Sequence, residues 1–222
     1  NLQAAYSVRK LRSAYTGNAL LLRRSSDNAE LAFGFLANGN LDTGTIATWL
    51  GGASGLVTTW YDQSGNGRNL VQTTANNQPL YVASGPNSNP TMRFDGVSDR
   101  LRVTFSSVAL PQHIFCVFKQ IVWSEGAYVF DGGNTINMGL YQTSPSGFVK
   151  LITGALSDNG VNFGTLVYNV GTFLFRTTGQ SYLRKNGVTT LGGFPQGNAL
   201  SGITLGARGD GTAGFSNTDF SE

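Results

Sequence analysis

Cysteine and histidine are almost missing from this chain: Cys116 and His113 are the single examples in 222 residues. One cysteine excludes an internal disulfide framework and a cysteine-rich zinc site. One histidine excludes a multi-histidine metal centre and a paired-histidine relay. Charge is scarce as well, at 12% of positions, with 15 Lys+Arg against 12 Asp+Glu. A net charge of +3 with no Lys/Arg run gives no footing for nucleic-acid binding. Glutamate occurs only at Glu30, Glu125 and Glu222. No apolar stretch approaches membrane-spanning length and no signal peptide is present, so membrane insertion is not expected.

What the chain does have is turn formers and aromatic bulk. Gly, Ser, Thr and Asn fill 90 positions, beside 14 Phe, 8 Tyr and 3 Trp. That is the composition of an all-β, turn-rich fold, and the length suits one domain over 1–222. The chain starts at Asn1 without an initiator Met and stops at Phe220-Ser221-Glu222, which reads like the opening of a strand. The expectation is a fragment of a longer chain.

Ala4, Val8, Leu11 and Tyr15 stand at helical spacing before Gly17, and Asp42 can cap a helix through Ile46, Trp49 and Leu50 that Gly51-Gly52 ends. One or two short N-terminal helices are therefore expected. Strands are expected at Leu20–Arg24, Leu56–Tyr61, Met92–Phe94, Leu101–Phe105, His113–Lys119, Tyr128–Phe130, Met138–Tyr141, Phe148–Ile152, Leu166–Val170, Phe173–Arg176 and Ile203–Ala207. Tyr182–Lys185, Asn186-Gly187 and Val188–Leu191 read as a hairpin on a type I′ turn.

Met92-Arg93-Phe94-Asp95-Gly96, the Leu183–Val188 hairpin and Leu205-Gly206-Ala207 together resemble the concanavalin A-like (laminin-G-like) jelly-roll sandwich. Leu11-Arg12-Ser13-Ala14-Tyr15-Thr16-Gly17 and Trp60-Tyr61-Asp62-Gln63-Ser64-Gly65-Asn66-Gly67 resemble the catalytic domain of family 54 α-L-arabinofuranosidases. Similar modules also occur in tailed-phage virion proteins. The enzyme resemblance implies a retaining mechanism, in which two carboxyl groups about 5–5.5 Å apart act as nucleophile and proton donor. Leu205-Gly206-Ala207-Arg208-Gly209-Asp210 resembles the segment bearing the acid, which makes Asp210 the matching carboxylate. Ala155-Leu156-Ser157-Asp158-Asn159-Gly160 resembles the nucleophile segment, with Asp158 in place of a glutamate. The shorter side chain retracts its carboxylate by about 1 Å, a displacement worth roughly a hundredfold in rate. The family's adjacent cysteine pair is replaced by Tyr128-Val129 before Phe130-Asp131, and Leu156 stands where the family has an acidic residue.

These departures make a non-catalytic, lectin-like virion module the leading expectation: a head decoration, tail or fibre domain contacting glycans or neighbouring virion subunits. A retaining hydrolase using Asp158 and Asp210 is the first alternative, and a purely structural virion domain the second. Trp60, Tyr61, Asp62, Asn66, Asp131, Asn159, Gly209 and Asp210 are the candidate sugar contacts. Each has a plainer reading. Asp158-Asn159-Gly160 and Gly209-Asp210-Gly211 are good turns, the Asp62–Gly67 loop fits a structural Asx-turn, and one of Trp60 and Tyr61 points into the core. No cofactor is expected. Calcium is the alternative, with Asp62, Asp95, Asp99 and Asp131 as oxygen ligands should their loops converge. His113 reads as an edge residue, Cys116 as a buried inert thiol, and the Arg9-Lys10-Arg12 and Arg23-Arg24 clusters as solvated faces or contacts to a neighbouring chain. The setting expected is a virion or the extracellular space, with assembly of identical copies left open.

Overall fold

The computed structural model describes residues 2–133, 138–152, 160–177, 181–194 and 199–221. In chain order the strands begin with β1 (Leu20–Arg24), β2 (Glu30–Phe33), β3 (Gly55–Trp60), β4 (Leu70–Val71), β5 (Leu80–Val82) and β6 (Thr91–Asp95). The middle of the chain supplies β7 (Leu101–Val108), β8 (Gln112–Val122), β9 (Tyr128–Gly132), β10 (Gly139–Thr143), β11 (Phe148–Ile152) and β12 (Val161–Asn162). Then come β13 (Asn169–Phe175), β14 (Ser181–Lys185), β15 (Val188–Phe194), β16 (Leu200–Leu205) and β17 (Asn217–Phe220).

Every strand pairing is antiparallel. One layer runs β2-β1-β3-β5-β6-β17-β8-β13-β14-β15, and the other β7-β16-β9-β10-β11-β12. The short β4 pairs with both β3 and β7 and so joins the layers. Alternation along the strands turns one set of side chains inward. On β8, Cys116, Phe118 and Gln120 are buried while His113 and Phe115 face out. Trp60, Phe94, Phe118, Phe173 and Phe220 are fully buried between the layers, and Phe130 of β9 meets Phe173 of β13 edge-on at 5.5 Å. Burial of each such ring contributes about 2–3 kcal/mol, the main force holding the layers together. The all-β fold expected from composition is what forms, as the sandwich that strand spacing and the jelly-roll resemblance implied.

One α-helix is present among the described residues, α1 (Thr43–Leu50). Asp42 caps it by accepting from the Thr45 amide at 3.0 Å, and Gly51 ends it in the left-handed conformation at φ 57°. The hairpin between β14 and β15 also turns as its Asn-Gly pair requires, with Asn186 and Gly187 both at positive φ.

Two expectations are corrected. Residues 4–15 form no helix, because the Asp62-Gln63 pair takes the backbone groups that a helix needs. The Asp62 carboxylate accepts from Ala5 N at 2.9 Å, and the Gln63 amide nitrogen donates to Ser7 O at 3.0 Å and Arg9 O at 2.9 Å. Gln63 Oε1 accepts from Leu11 N at 2.8 Å, so the segment lies against the loop as an irregular strap. The strand expected at Leu166–Val170 begins only at Asn169, since Leu166 sits at φ 60° and donates its amide to Gln120 O.

A chain edge also becomes central. β17 lies between β6 and β8, and its Asp219, fully buried, receives Arg93 through two bonds of 2.7 and 2.9 Å and Lys119 at 3.2 Å. Tyr168 completes the shell with its hydroxyl at 3.1 Å.

Asp62 is 4% exposed and fills both carboxylate oxygens, taking Ala5 N and Ser64 N on one and Ser64 Oγ and Arg68 N on the other. Asp62→Ala strands three backbone donors, and the expected loss of stability is about 3 kcal/mol. Urea denaturation measures that loss, and amide exchange at Ala5 shows whether the strap is released with it.

Candidate active site

The loop that follows β16 doubles back over its own strand. It leaves through Gly206 at φ 77°, where an added Cβ would come within 2.2 Å of the Phe94 ring, so only glycine fits. Gly206 N donates to Val129 O at 3.0 Å, Arg208 N to Ala213 O at 3.0 Å, and Gly211 N to Arg208 O at 2.7 Å, which folds the loop onto itself. Its tip is pinned from below by two buried side chains of neighbouring strands. Asp131 of β9 accepts from Gly209 N at 2.8 Å, and Thr204 of β16 donates its hydroxyl to Gly209 O at 3.0 Å. Asp131 and Thr204 stand opposite each other in the β9–β16 register, 1% and 0% exposed. Both polar groups of one peptide residue are thereby held, and the position of the next residue, Asp210, follows.

Asp210 is partly open to solvent and presents the candidate carboxylate of this corner. Arg208 grips it with Nε to Oδ1 at 3.2 Å and Nη2 to Oδ2 at 2.7 Å, and Thr212 N donates to Oδ1 at 3.0 Å. The Arg208 hydrogen bonds are the main cause holding this carboxyl well below the usual carboxylate range. Tyr128 lines the same corner, its phenol pushed up by burial first and by the Asp131 charge second. The Tyr141 ring meets it edge-on at 5.1 Å. Between the layers lies a cavity of about 720 Å³, bordered by Tyr6 and Trp60 on one side and by Phe130 and Asp131 on the other.

The structure brings Asp131, Gly209 and Asp210 together and sets the other described candidates apart. Trp60 is 1% exposed and packs against Tyr6 at 5.9 Å between ring centres, so a sugar cannot stack on it from solvent. Asp62 is spent on the strap, Tyr61 is half-buried, and Asn66 donates its amide to Leu2 O and Gln3 O. The Asp62–Gly67 loop forms the Asx-turn of its plainer reading and clamps the strap. Asp158 and Asn159 lie outside the described residues.

Among the described residues no three His, Cys, Asp or Glu side chains gather as a metal site would need, so Asp62, Asp95, Asp99 and Asp131 do not converge. The arginines near the N-terminus are engaged within the chain. Arg12 donates to Ser64 O, Arg23 to Gln78 and Asn28, and Arg24 to Asp27 while lying over the Trp49 ring. Cys116 is buried and its thiol pushed up by that burial, and His113 lies exposed against Phe115 at 4.5 Å. Sequence reasoning missed Arg208 and Thr204. The Arg-Gly-Asp spacing in a glycine-rich loop was a visible signal for Arg208; nothing local marks Thr204, which is set by strand register.

The family model described as alpha-L-arabinofuranosidase B, catalytic, matches residues 2–108. An α-L-arabinofuranosidase of Hypocrea jecorina is 39% identical over 87 residues, which is 39% of this chain and 16% of that protein. Among solved structures, an arabinofuranosidase complexed with arabinofuranosyl-α-1,2-xylobiose superposes with a TM-score of 0.72 at 17% identity, over 98% of this chain and 57% of that one. A GH54 α-L-arabinofuranosidase soaked with a cyclic sulfate inhibitor gives 0.71 at 16% identity over the same shares. The chain thus spans a little over half of those solved chains. These matches overturn the leading expectation of a non-catalytic virion module: family model, sequence relative and fold neighbours alike are arabinofuranosidases.

The Asp95–Asp99 pair tests the electrostatics of a second loop. Burial, then the Asp95 charge, pushes the Asp99 carboxyl up to about 7. A carboxyl raised in the folded state keeps a proton that the unfolded chain has lost, so stability falls as pH rises from about 4 to 7. Asp99→Asn is expected to flatten that slope, read as the thermal midpoint against pH.

Proposed function

We propose that the chain is an arabinofuranosidase-like glycoside hydrolase domain that removes α-L-arabinofuranosyl groups from glycans. The observation that supports this best is the family-model match over residues 2–108, carried by a fold that superposes on such enzymes through 98% of the chain. Asp210 sits at the solvent end of a loop pinned by buried groups, which suits a group that must meet substrate in one fixed place.

In the proposed retaining cycle Asp158 is the nucleophile and Asp210 the proton donor. A carboxylate oxygen of Asp158 forms a bond to the anomeric carbon as the glycosidic C–O bond breaks, and Asp210 passes its proton to the leaving oxygen. Asp210 then takes a proton from water, whose oxygen displaces Asp158 and restores the acid. Asp131 and Thr204 are positioning residues, acting on the reaction through Gly209. No helix among the described residues is long and apolar enough to cross a membrane, and action on extracellular glycans belongs to the same proposal.

The test is release of 4-nitrophenol from 4-nitrophenyl α-L-arabinofuranoside. Turnover is expected, with Asp210→Asn lowering kcat by about 1,000-fold, as loss of a general acid does. An absence of turnover at high protein concentration, or an Asp210→Asn variant as active as the parent, would overturn the proposal.

A further inference from the structure

A proton donor must carry a proton at working pH, and enzymes usually place such a carboxyl where burial or a like charge raises its pKa. Asp210 has the opposite surroundings. Arg208, two residues earlier in the same loop, grips both carboxylate oxygens, at 3.2 and 2.7 Å, and also bonds Thr212 Oγ1 at 3.1 Å. The loop fixes Arg208 in turn, since its amide is bound to Ala213 O and its carbonyl to Gly211 N. The pair is therefore built into the turn.

We propose that Arg208 is a positioning residue that holds Asp210 ionised and turned toward itself in the free protein, so that the donor becomes competent only when this grip is released. This rests on the hydrolase reading for its consequence in catalysis, but the grip itself is a property of the free chain. The other groups facing Asp210 do not replace it. Tyr128 and Asp131 of β9 are a neutral phenol and a carboxylate already bonded to Gly132 and Gly209. Tyr141 of β10 reaches the corner through Tyr128, and Arg100 lies along the backbone at Gly211. Thr212 adds its neutral amide at 3.0 Å, while Arg208 brings the cationic two-point contact.

Two readouts test this. Carboxyl carbon NMR of the free protein follows Asp210 through its titration. In the parent it titrates below the usual carboxylate range, and in Arg208→Gln it moves up by about 1–3 pH units, the span expected when an adjacent opposite charge is removed. In the hydrolysis assay the kcat/KM profile against pH carries the titration of Asp210 in the free enzyme, so the limb that Asp210 sets moves up by a similar amount in Arg208→Gln and returns toward the parent in Arg208→Lys. A merely structural role lowers activity at every pH without moving that limb. An Asp210 titration that is the same in the parent and Arg208→Gln overturns the inference. Loss of hydrolysis in every variant, parent included, counts against the hydrolase proposal and leaves the titration to decide the role of Arg208.

Discussion

The peptide of Gly209 is the fixed point of the candidate site. A carboxylate on one strand and a hydroxyl on the next hold its amide and carbonyl, and both side chains are buried. Leaving such groups unpaired in the interior would cost about 1–3 kcal/mol each, so the loop has one favoured seat on the sheet. Everything that makes the corner a candidate site depends on that seat: the placement of Asp210, its grip by Arg208, and the Tyr128 ring beside it. A surface loop of eleven residues rich in glycine would otherwise sample many conformations, and ordering each residue costs about 1–2 kcal/mol.

The N-terminal half is held by the same device. Asp62 and Gln63 use side chains to satisfy a strap of irregular backbone, as Asp131 and Thr204 do for the loop after β16. This gives a physical reason for where likeness to known enzymes falls. The family model matches residues 2–108, the part in which strap, clamp and α1 depend on particular polar side chains. The later strands need only inward bulk and outward polarity, which many sequences supply at low identity. The similarity in sequence therefore marks the scaffold, while Asp210 lies beyond it and has to be judged on geometry.

Much of the fold was legible in the sequence. Strand alternation, the Asn186-Gly187 turn and the Asp42 cap are local signals, and each element forms where its residues dictate. Ala4, Val8, Leu11 and Tyr15 keep helical spacing without forming a helix, because backbone groups of the same segment, at Ala5 and Leu11, are claimed from 50 or more positions away. Periodicity carries no information about such a distant competitor. For the site, sequence resemblance singled out Asp210 and placed Asp131 and Gly209 among the candidates, and these do meet. The same list included Trp60 and Asp62, because an aromatic beside a polar loop looks alike whether it faces sugar or core. Burial separates the two cases, and burial follows from strand register.

The virion reading failed for an instructive reason. It rested on the lack of a glutamate and of the cysteine pair, and absences in one segment outweighed likeness in another. In the proposed function the pinned Asp210 corner receives an arabinofuranosyl group. A crystal structure of the Asp210→Asn variant soaked with an arabinofuranosyl xylo-oligosaccharide tests it most directly. The account predicts the glycosidic oxygen within hydrogen-bonding distance, about 3 Å, of the side chain at position 210, with Gly209 still bound to Asp131 and Thr204. Sugar bound elsewhere on the molecule, or an empty corner at saturating ligand, would contradict it.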